Sequence, residues 1–373
     1  WIKCKIRRHP ELTLEAAMAV SIPATMKAAI VEEFGKPLVI KEIPVPEPGY
    51  GEVLIKVITS GVCHTDLHVR DADWHVKPKC PIIPGHEGAG IVAKLGEGVT
   101  TLKIGDRVGH AWLHDSCGSC DYCLKGWETV CGKQNQTGFA ADGCFAEYTV
   151  AKASYVGKIP DGLSFSQAAP VLCAGVTTYK ALKETEAKPG QWVAIIGACG
   201  GLGHVGVQYA KAMGLKVCAI DFGEEKKSYA MDDLKAEAYV DIKGKDSDTI
   251  VAEVKKACDG MGPHGSLILA PAPAAFRQGV DMLRPMGFAV GIALPPADFP
   301  VDIFSLILHR KTIRGSIVGT RLDLNESLVI AGDGKVTCTI QERKLDEINT
   351  ILEEMHAGKI KGRCVLRIAP DPQ

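Results

Sequence analysis

No apolar run in this chain reaches the ~18 residues that would suggest a membrane-spanning helix. Charge of one sign is not in excess: 43 lysines and arginines face 44 aspartates and glutamates, a formal net charge of -1. That balance removes the global field that would draw nucleic acid or an anionic membrane surface. No apolar secretory signal is visible. Internal repeats and low-complexity tracts are absent too, so a repeat array is not expected. What remains is the composition of an ordinary globular protein, 46% hydrophobic and 23% charged. At 373 residues the chain is too long for one ordinary core and fits two domains.

Cysteine, by contrast, is abundant, with 14 in the chain. Secretion would turn such a number into disulfides, but without a signal the reading is reduced thiols, metal binding and a cytoplasmic setting. Residues 1–25 differ from the rest and carry a basic cluster, Lys3, Lys5, Arg7 and Arg8. Glu11 and Glu15 argue against a mitochondrial presequence. The segment reads as an N-terminal extension, with Met18 or Met26 as the natural start.

From Met26 to about Val150 short β-type runs alternate with Gly and Pro, as in "EVLIKVI" (52–58), "GAGIVAKLG" (88–96) and "GCFAEYTV" (143–150). After Cys173 the rhythm changes. "WVAIIGA" (192–198) is a buried strand, "GHVGVQYAKAMG" a helix and "KVCAID" (216–221) the next strand. Strand candidates at 238–242, 265–270, 287–293 and 312–318 follow, most of them separated by helical patterns. Alternation of this kind predicts an α/β region with a doubly wound parallel sheet. The tail beyond Val318 predicts a helix near 344–356 and a last strand at 364–368.

"CGSCDYCLKGWETVC" spaces Cys117, Cys120, Cys123 and Cys131 as C-x2-C-x2-C-x7-C. Thiolates two residues apart reach one ion from a tight turn, and four complete a closed tetrahedral shell for zinc. Such a shell stabilises structure and leaves no open position for chemistry. The alternatives are unconnected thiols, an iron–sulfur cluster, or a nucleic-acid-binding zinc ribbon. The ferredoxin pattern needs three residues and a proline around its last cysteine, where this chain has seven and Gly132. The loop holds only Lys125 against Asp121 and Glu128, poor equipment for a polyanion.

"AIIGACGGLGHVG" stands where a strand should meet a helix. The dinucleotide fingerprint G-x-G-x-x-G reads here Ala198-x-Gly200-Gly201-Leu202-Gly203, with an alanine in the first place and an extra Gly197 before it. Asp221 ends the next strand 18 residues after Gly203. A carboxylate there accepts from the adenosine ribose hydroxyls and repels the 2′-phosphate of NADP, so NAD is expected. Lys226 reaches the same ribose or is a solvated helix lysine.

"GVCHTDLH" (61–68) and "GHEGAG" (85–90) crowd a thiol, imidazoles, a hydroxyl and carboxylates into two short stretches. With the four-cysteine loop, "PVLCAGVTTYKAL" and "GACGGLG", the chain resembles the medium-chain zinc-dependent alcohol dehydrogenases, most closely their microbial tetrameric branch, from Ser21 to the C-terminus. The resemblance implies a mostly-β, GroES-like catalytic domain over 26–173 and 318–373 and an NAD-binding Rossmann domain over 174–317. It implies two zinc ions per chain. One is structural, on Cys117, Cys120, Cys123 and Cys131. The other is catalytic, on Cys63, His86 and Cys173, three donors that leave a fourth position open.

Further roles follow from the same resemblance. Asp66 would orient His86, as carboxylates commonly do for metal-bound histidines, and Glu87 would face the ion from behind. Thr65 and His68 would relay the proton of an alcohol acidified by the metal, while a hydride passes to the nicotinamide. His64 and Arg363 would meet the coenzyme pyrophosphate. Trp74, Trp112 and Leu294 match pocket-lining positions and would restrict the site to small primary alcohols and their aldehydes. A homotetramer is implied, with no nucleic-acid or membrane partner. The remaining readings are a relative using bulky aromatic alcohols, polyols or a formaldehyde–thiol adduct, and a non-catalytic binding protein of the same fold. The other histidines, among them His110, His114 and His204, read as structural or surface residues.

Overall fold

Strand Trp192–Ile196, buried at all five positions, lies inside a six-stranded parallel sheet. The computed structural model describes residues 22–372, so the N-terminal extension lies outside the described residues up to residue 21. Across this sheet the strands run Ala238–Asp241, Lys216–Asp221, Trp192–Ile196, Gly265–Ile268, Phe288–Gly291 and Thr312–Gly315. The chain works outward from Trp192–Ile196 in one direction, then returns and works outward in the other. That reversal opens a crevice at the carboxyl ends of the strands, where doubly wound sheets take their ligands. Helices Gly203–Ala212, Ser247–Ala257 and Pro273–Asp281 provide crossovers. Apolar runs buried on both faces require this covered arrangement.

The second sheet has seven strands built around Glu52–Val62. That strand pairs antiparallel with Gly88–Leu95, with Tyr148–Lys152 and with the tail strand Arg363–Arg367. The tail strand thus returns to the sheet that Glu52–Val62 began. Cys364 sits opposite Val62, which places Arg363 beside the Cys63 turn.

Three expectations change. The strand expected at 143–150 is Tyr148–Lys152. Residues 143–145 instead pack their backbone on the loop before His86: Gly143 N donates to Ile83 O at 2.7 Å, Cys144 N to Gly85 O at 2.9 Å and Phe145 N to Pro84 O at 3.0 Å. A Cβ on Gly143 would lie 2.1 Å from Gly85 O, so only glycine permits this approach. The tail also holds a helix, Arg321–Gly332, and a strand, Ile340–Lys344, that periodicity did not predict. The helix buries Leu324, Leu328 and Ala331 yet exposes Leu322 and Val329, so no single apolar stripe marks it. The strand reads IQERK, too polar to announce itself.

Candidate active site

Cys63 stands at the head of helix His64–Asp71, and its backbone N–H donates to Asp66 at 2.8 Å. His86 follows the loop fastened by residues 143–145. Cys173 lies in the wide turn Val171–Gly175 that leads into helix Val176–Glu184. The fold brings these three and Glu87 together, their ligand atoms all within 4.8 Å of one another and all four residues buried. Cys63 Sγ is 4.0 Å from Cys173 Sγ, and His86 Nε2 is 3.3 Å from Cys173 Sγ. Two metal–sulfur bonds of ~2.3 Å at a tetrahedral angle hold their sulfurs ~3.8 Å apart, so the donor set fits zinc.

Behind this group, Asp66 Oδ1 lies 3.3 Å from His86 Nδ1, leaving Nε2 toward the thiols. Burial works against a charge on His86, but Asp66 and Cys63 together outweigh it and raise the imidazole well above its usual pKa. Cys63 is held well below the usual thiol range by its hydrogen bond with Cys173, with His86 and Arg363 adding to the effect. Glu87 pairs with Arg363, both fully buried. Burial pushes Glu87 up to about 8 despite Arg363, with the negative charge of Cys63 and Asp66 contributing. Its Oε2 has no partner within the protein, and a Cβ on Gly61 would lie 1.9 Å from that oxygen. Glycine at 61 is what leaves room for the carboxylate.

Thr65 Oγ1 lies 3.7 Å from Cys63 Sγ. His68 is half-buried, and its Nδ1 meets Asp73 Oδ1 at 2.8 Å, a partner that sequence reading missed. Asp73 lies only five residues on in "RDADW", but nothing in that spacing separates a partner from a surface charge. His68 also stacks on Trp74 with ring centroids 5.1 Å apart. Trp112 meets the edge of His86 at 5.2 Å. Phe139, also missed, joins the two indoles, 6.0 Å from Trp74 and 5.8 Å from Trp112. Leu294 is not brought to this cluster: it is 67% exposed in the loop after strand Phe288–Gly291.

At the crevice, Gly197 takes a positive φ of 84°. The turn thus begins one residue early, which is how Ala198 is accommodated in the first fingerprint position. A Cβ on Gly203 would lie 2.0 Å from Gly197 O, while one on Gly200 would meet only that same oxygen at 3.4 Å. Gly203 is needed for packing, and the backbone at Gly200 stands open to an approaching phosphate. Arg363 runs past Gly201, where an added Cβ would lie 3.4 Å from its Cδ. Its guanidinium is turned to Glu87, so it borders both the phosphate turn and the cysteine–histidine group. Asp221 is buried at its strand end and accepts from Cys199 N at 2.9 Å, Phe222 N at 3.0 Å and Lys226 Nζ at 2.7 Å. Lys226 therefore bonds to Asp221 itself. His64 is exposed.

The four-cysteine loop forms a second group. Cys117 lies 3.9 Å from Cys123 and 3.6 Å from Cys131, and Cys120 lies 3.6 Å from Cys123. Backbone N–H groups of Ser119 and Cys120 aimed at Cys117 bring its thiol down to about 6. Sulfurs at tetrahedral spacing and a preferred thiolate fit a closed zinc shell.

A GroES-like half carrying two cysteine-rich donor groups, joined to a dinucleotide-binding half, defines a zinc-binding medium-chain dehydrogenase. Residues 49–161 match the family model described as the alcohol dehydrogenase GroES-like domain, and residues 201–331 match that of the zinc-binding dehydrogenases. The chain is 53% identical over 342 residues to an alcohol dehydrogenase of Rhizobium meliloti, covering 92% of this chain and 98% of that one. It is 51% identical to an alcohol dehydrogenase of Geobacillus stearothermophilus, covering 92% and 100%. Among solved structures, the alcohol dehydrogenase of Aeropyrum pernix superposes with a TM-score of 0.81 at 33% identity, covering 91% and 99%. The chain belongs to the medium-chain zinc-dependent alcohol dehydrogenases.

Proposed function

We propose that this alcohol dehydrogenase interconverts small primary alcohols and their aldehydes with NAD, at the group formed by Cys63, His86 and Cys173. One observation carries the reading: these three donors converge in a buried cluster with Asp66 behind the histidine and Thr65 beside the first cysteine. A zinc ion held there supplies a Lewis acid that lowers the pKa of the substrate hydroxyl. The protein's own residues do the rest. Asp66 holds the His86 ring in the orientation that presents Nε2. Thr65 Oγ takes the substrate proton, and His68, braced by Asp73, delivers it to water. Arg363 lies against Glu87 beneath the group, and Arg363 with exposed His64 steers the coenzyme pyrophosphate over Gly200 and Gly201. Asp221, with Lys226, receives the adenosine ribose. The four-cysteine loop holds a second, structural zinc.

Trp74, Trp112 and Phe139 form the wall beside His86. One extra substrate methylene in a tight apolar pocket is worth only ~1–3 kcal/mol, so size selection should be graded. Initial rates of NADH formation over alcohols of increasing size test this. Ethanol and 1-propanol should give the highest kcat/KM, Trp112→Ala should move the optimum to longer chains, and NADP should be a poor substitute for NAD until Asp221 is changed to Gly. Benzyl or cinnamyl alcohol as best substrate would refute the pocket. Equal use of both coenzymes by the wild type would refute the role of Asp221.

A tetramer is proposed on the family resemblance and on one surface. Thr312–Gly315 is an edge strand of the parallel sheet, and the helix Ile303–Leu308 before it exposes Ile303, Phe304, Ile307 and Leu308. An open edge beside four exposed apolar side chains favours pairing with a second copy. Light scattering at micromolar concentration should give four times the chain mass, and a monomer would contradict it. A cytoplasmic location is proposed because none of the thirteen cysteines among the described residues is in a disulfide. No helix of the described residues is long and apolar enough to cross a membrane.

A further inference from the structure

The two cysteine-rich groups are joined by a continuous set of polar contacts. Ser116 Oγ lies 3.2 Å from Cys123 Sγ and 2.7 Å from the Tyr155 hydroxyl. The Arg321 guanidinium sits 4.7 Å over the Tyr155 ring, and its Nε donates to Glu128 Oε1 at 2.8 Å. Glu128 belongs to the cysteine loop and is buried. Arg321 opens helix Arg321–Gly332, whose cap is the reciprocal pair Thr320 and Asp323. Asp323, also buried, accepts from Lys183 Nζ at 2.7 Å and lies 3.9 Å from Lys180 Nζ. Lys180 in turn stands 4.0 Å over the ring of Trp127, back in the cysteine loop. Lys180 and Lys183 belong to helix Val176–Glu184, which continues directly from the turn that carries Cys173.

Both ends of this set need outside support. Within the cysteine loop Glu128, Thr129 and Cys131 are the buried residues, so little apolar packing fixes its position. The turn Val171–Gly175 is a π-type turn, wider than an α-helix and less regularly bonded, so its register depends on the helix that follows. The contacts grip that helix two turns beyond Cys173, with a buried carboxylate on one side and an aromatic face on the other. Glu128 and Asp323 are buried and Lys180 nearly so, while Arg321 and Trp127 keep one side in solvent; a contact with one desolvated partner holds position better than a fully exposed one.

We propose that Arg321, Lys180 and Trp127 are positioning residues that transmit the order of the four-cysteine loop to the Cys173 turn, so that the filled loop slows loss of metal from the Cys63–His86–Cys173 group. This rests on the reading of both groups as zinc sites. The test uses the holoenzyme and the variants Arg321→Met, Lys180→Met and the milder Glu128→Gln. Two readouts are taken: amide hydrogen exchange over residues 171–184, and the rate at which zinc from the Cys63–His86–Cys173 group passes to a chelator. Exchange and release should both rise about tenfold in Arg321→Met and Lys180→Met, and less in Glu128→Gln. Exchange in strand Trp192–Ile196 should stay at the wild-type level, because the effect is local.

A rise spread equally over that strand would mean a general loss of stability and would overturn the proposal. So would unchanged exchange and release in variants whose near-ultraviolet circular dichroism is native. If Glu128→Gln alone folds, a wild-type result for it overturns the proposal as well. Wild-type protein found without zinc would defeat the functional reading, while the exchange comparison would still decide whether the contacts steady the turn.

Discussion

Cys173→Ala is expected to lower kcat/KM for ethanol by roughly a thousandfold, about 4 kcal/mol of transition-state stabilisation. The protein should remain folded and keep the metal of the four-cysteine loop, so zinc content falls from two equivalents to one. Cys173 is 8% exposed, and alanine fits the space, although buried His86 Nε2 loses its contact with the sulfur. Its sulfur stands 4.0 Å from Cys63 and 3.3 Å from His86 Nε2, so its loss leaves two donors where three are needed to hold the ion. Asp66→Asn should sit between wild type and Cys173→Ala. His86 keeps its place, but the carboxylate 3.3 Å from Nδ1 is gone, and metal affinity should drop about 10- to 100-fold. Metal analysis and steady-state kinetics on the same samples check both. Activity within tenfold of wild type in Cys173→Ala, or two retained zinc ions, would remove Cys173 from the site.

Acid should destabilise the protein well before its carboxylates are all protonated. His204 is fully buried, with Nδ1 3.0 Å from Gly200 O and Nε2 accepting from Thr339 N at 3.1 Å. Burial lowers its pKa from 6.5 to about 4. The unfolded chain therefore takes up a proton below about pH 6.5 that the folded chain refuses until about pH 4. Stability contributed by the neutral imidazole is present above the unfolded value and is lost as pH falls through this window. The full loss is ~3 kcal/mol for this residue alone. His110 adds to the loss in the same direction: it is buried against His114 at 3.1 Å and Thr137 at 3.0 Å, and burial holds its pKa well below the usual value. Thermal melts between pH 7 and pH 4 should show a steep fall in Tm. His204→Gln keeps an acceptor and a donor but cannot titrate, so it should flatten the slope by about one proton. A slope identical to wild type would show that His204 is not the group responsible. The site is involved as well, because His204 ties the phosphate-binding helix to the strand region next to Arg363.

How far the sequence reads depends on how far apart the cooperating residues lie. The Cys117–Cys131 loop is legible because a turn of fifteen residues can close a shell by itself, and C-x2-C spacing states that geometry locally. The phosphate turn is legible for the same reason, down to the glycine at 203 that must pass Gly197 O. Strand–helix alternation after Cys173 follows from apolar runs bounded by glycine, and it specifies a parallel sheet because such runs must be covered on both faces. The composition alone removed a spanning helix and a polyanion-binding field.

Other features exist only in three dimensions. Cys63 and Cys173 are 110 residues apart, and no spacing rule brings them to 4.0 Å; the sheet that ends in Arg363–Arg367 and the wide turn at Val171–Gly175 do that. Arg363, read from sequence as a pyrophosphate ligand, pairs first with Glu87, since a buried carboxylate beside three acidic or thiol groups needs a cation in contact. Residues 143–145 left the predicted strand because the loop before His86 required their backbone hydrogen bonds. Asp73 and Phe139 joined the site, and Leu294 stayed outside its aromatic wall, for one reason. Local sequence states which side chains can do chemistry, but which of them meet is decided by how long-range packing satisfies buried polar groups and closes apolar surface.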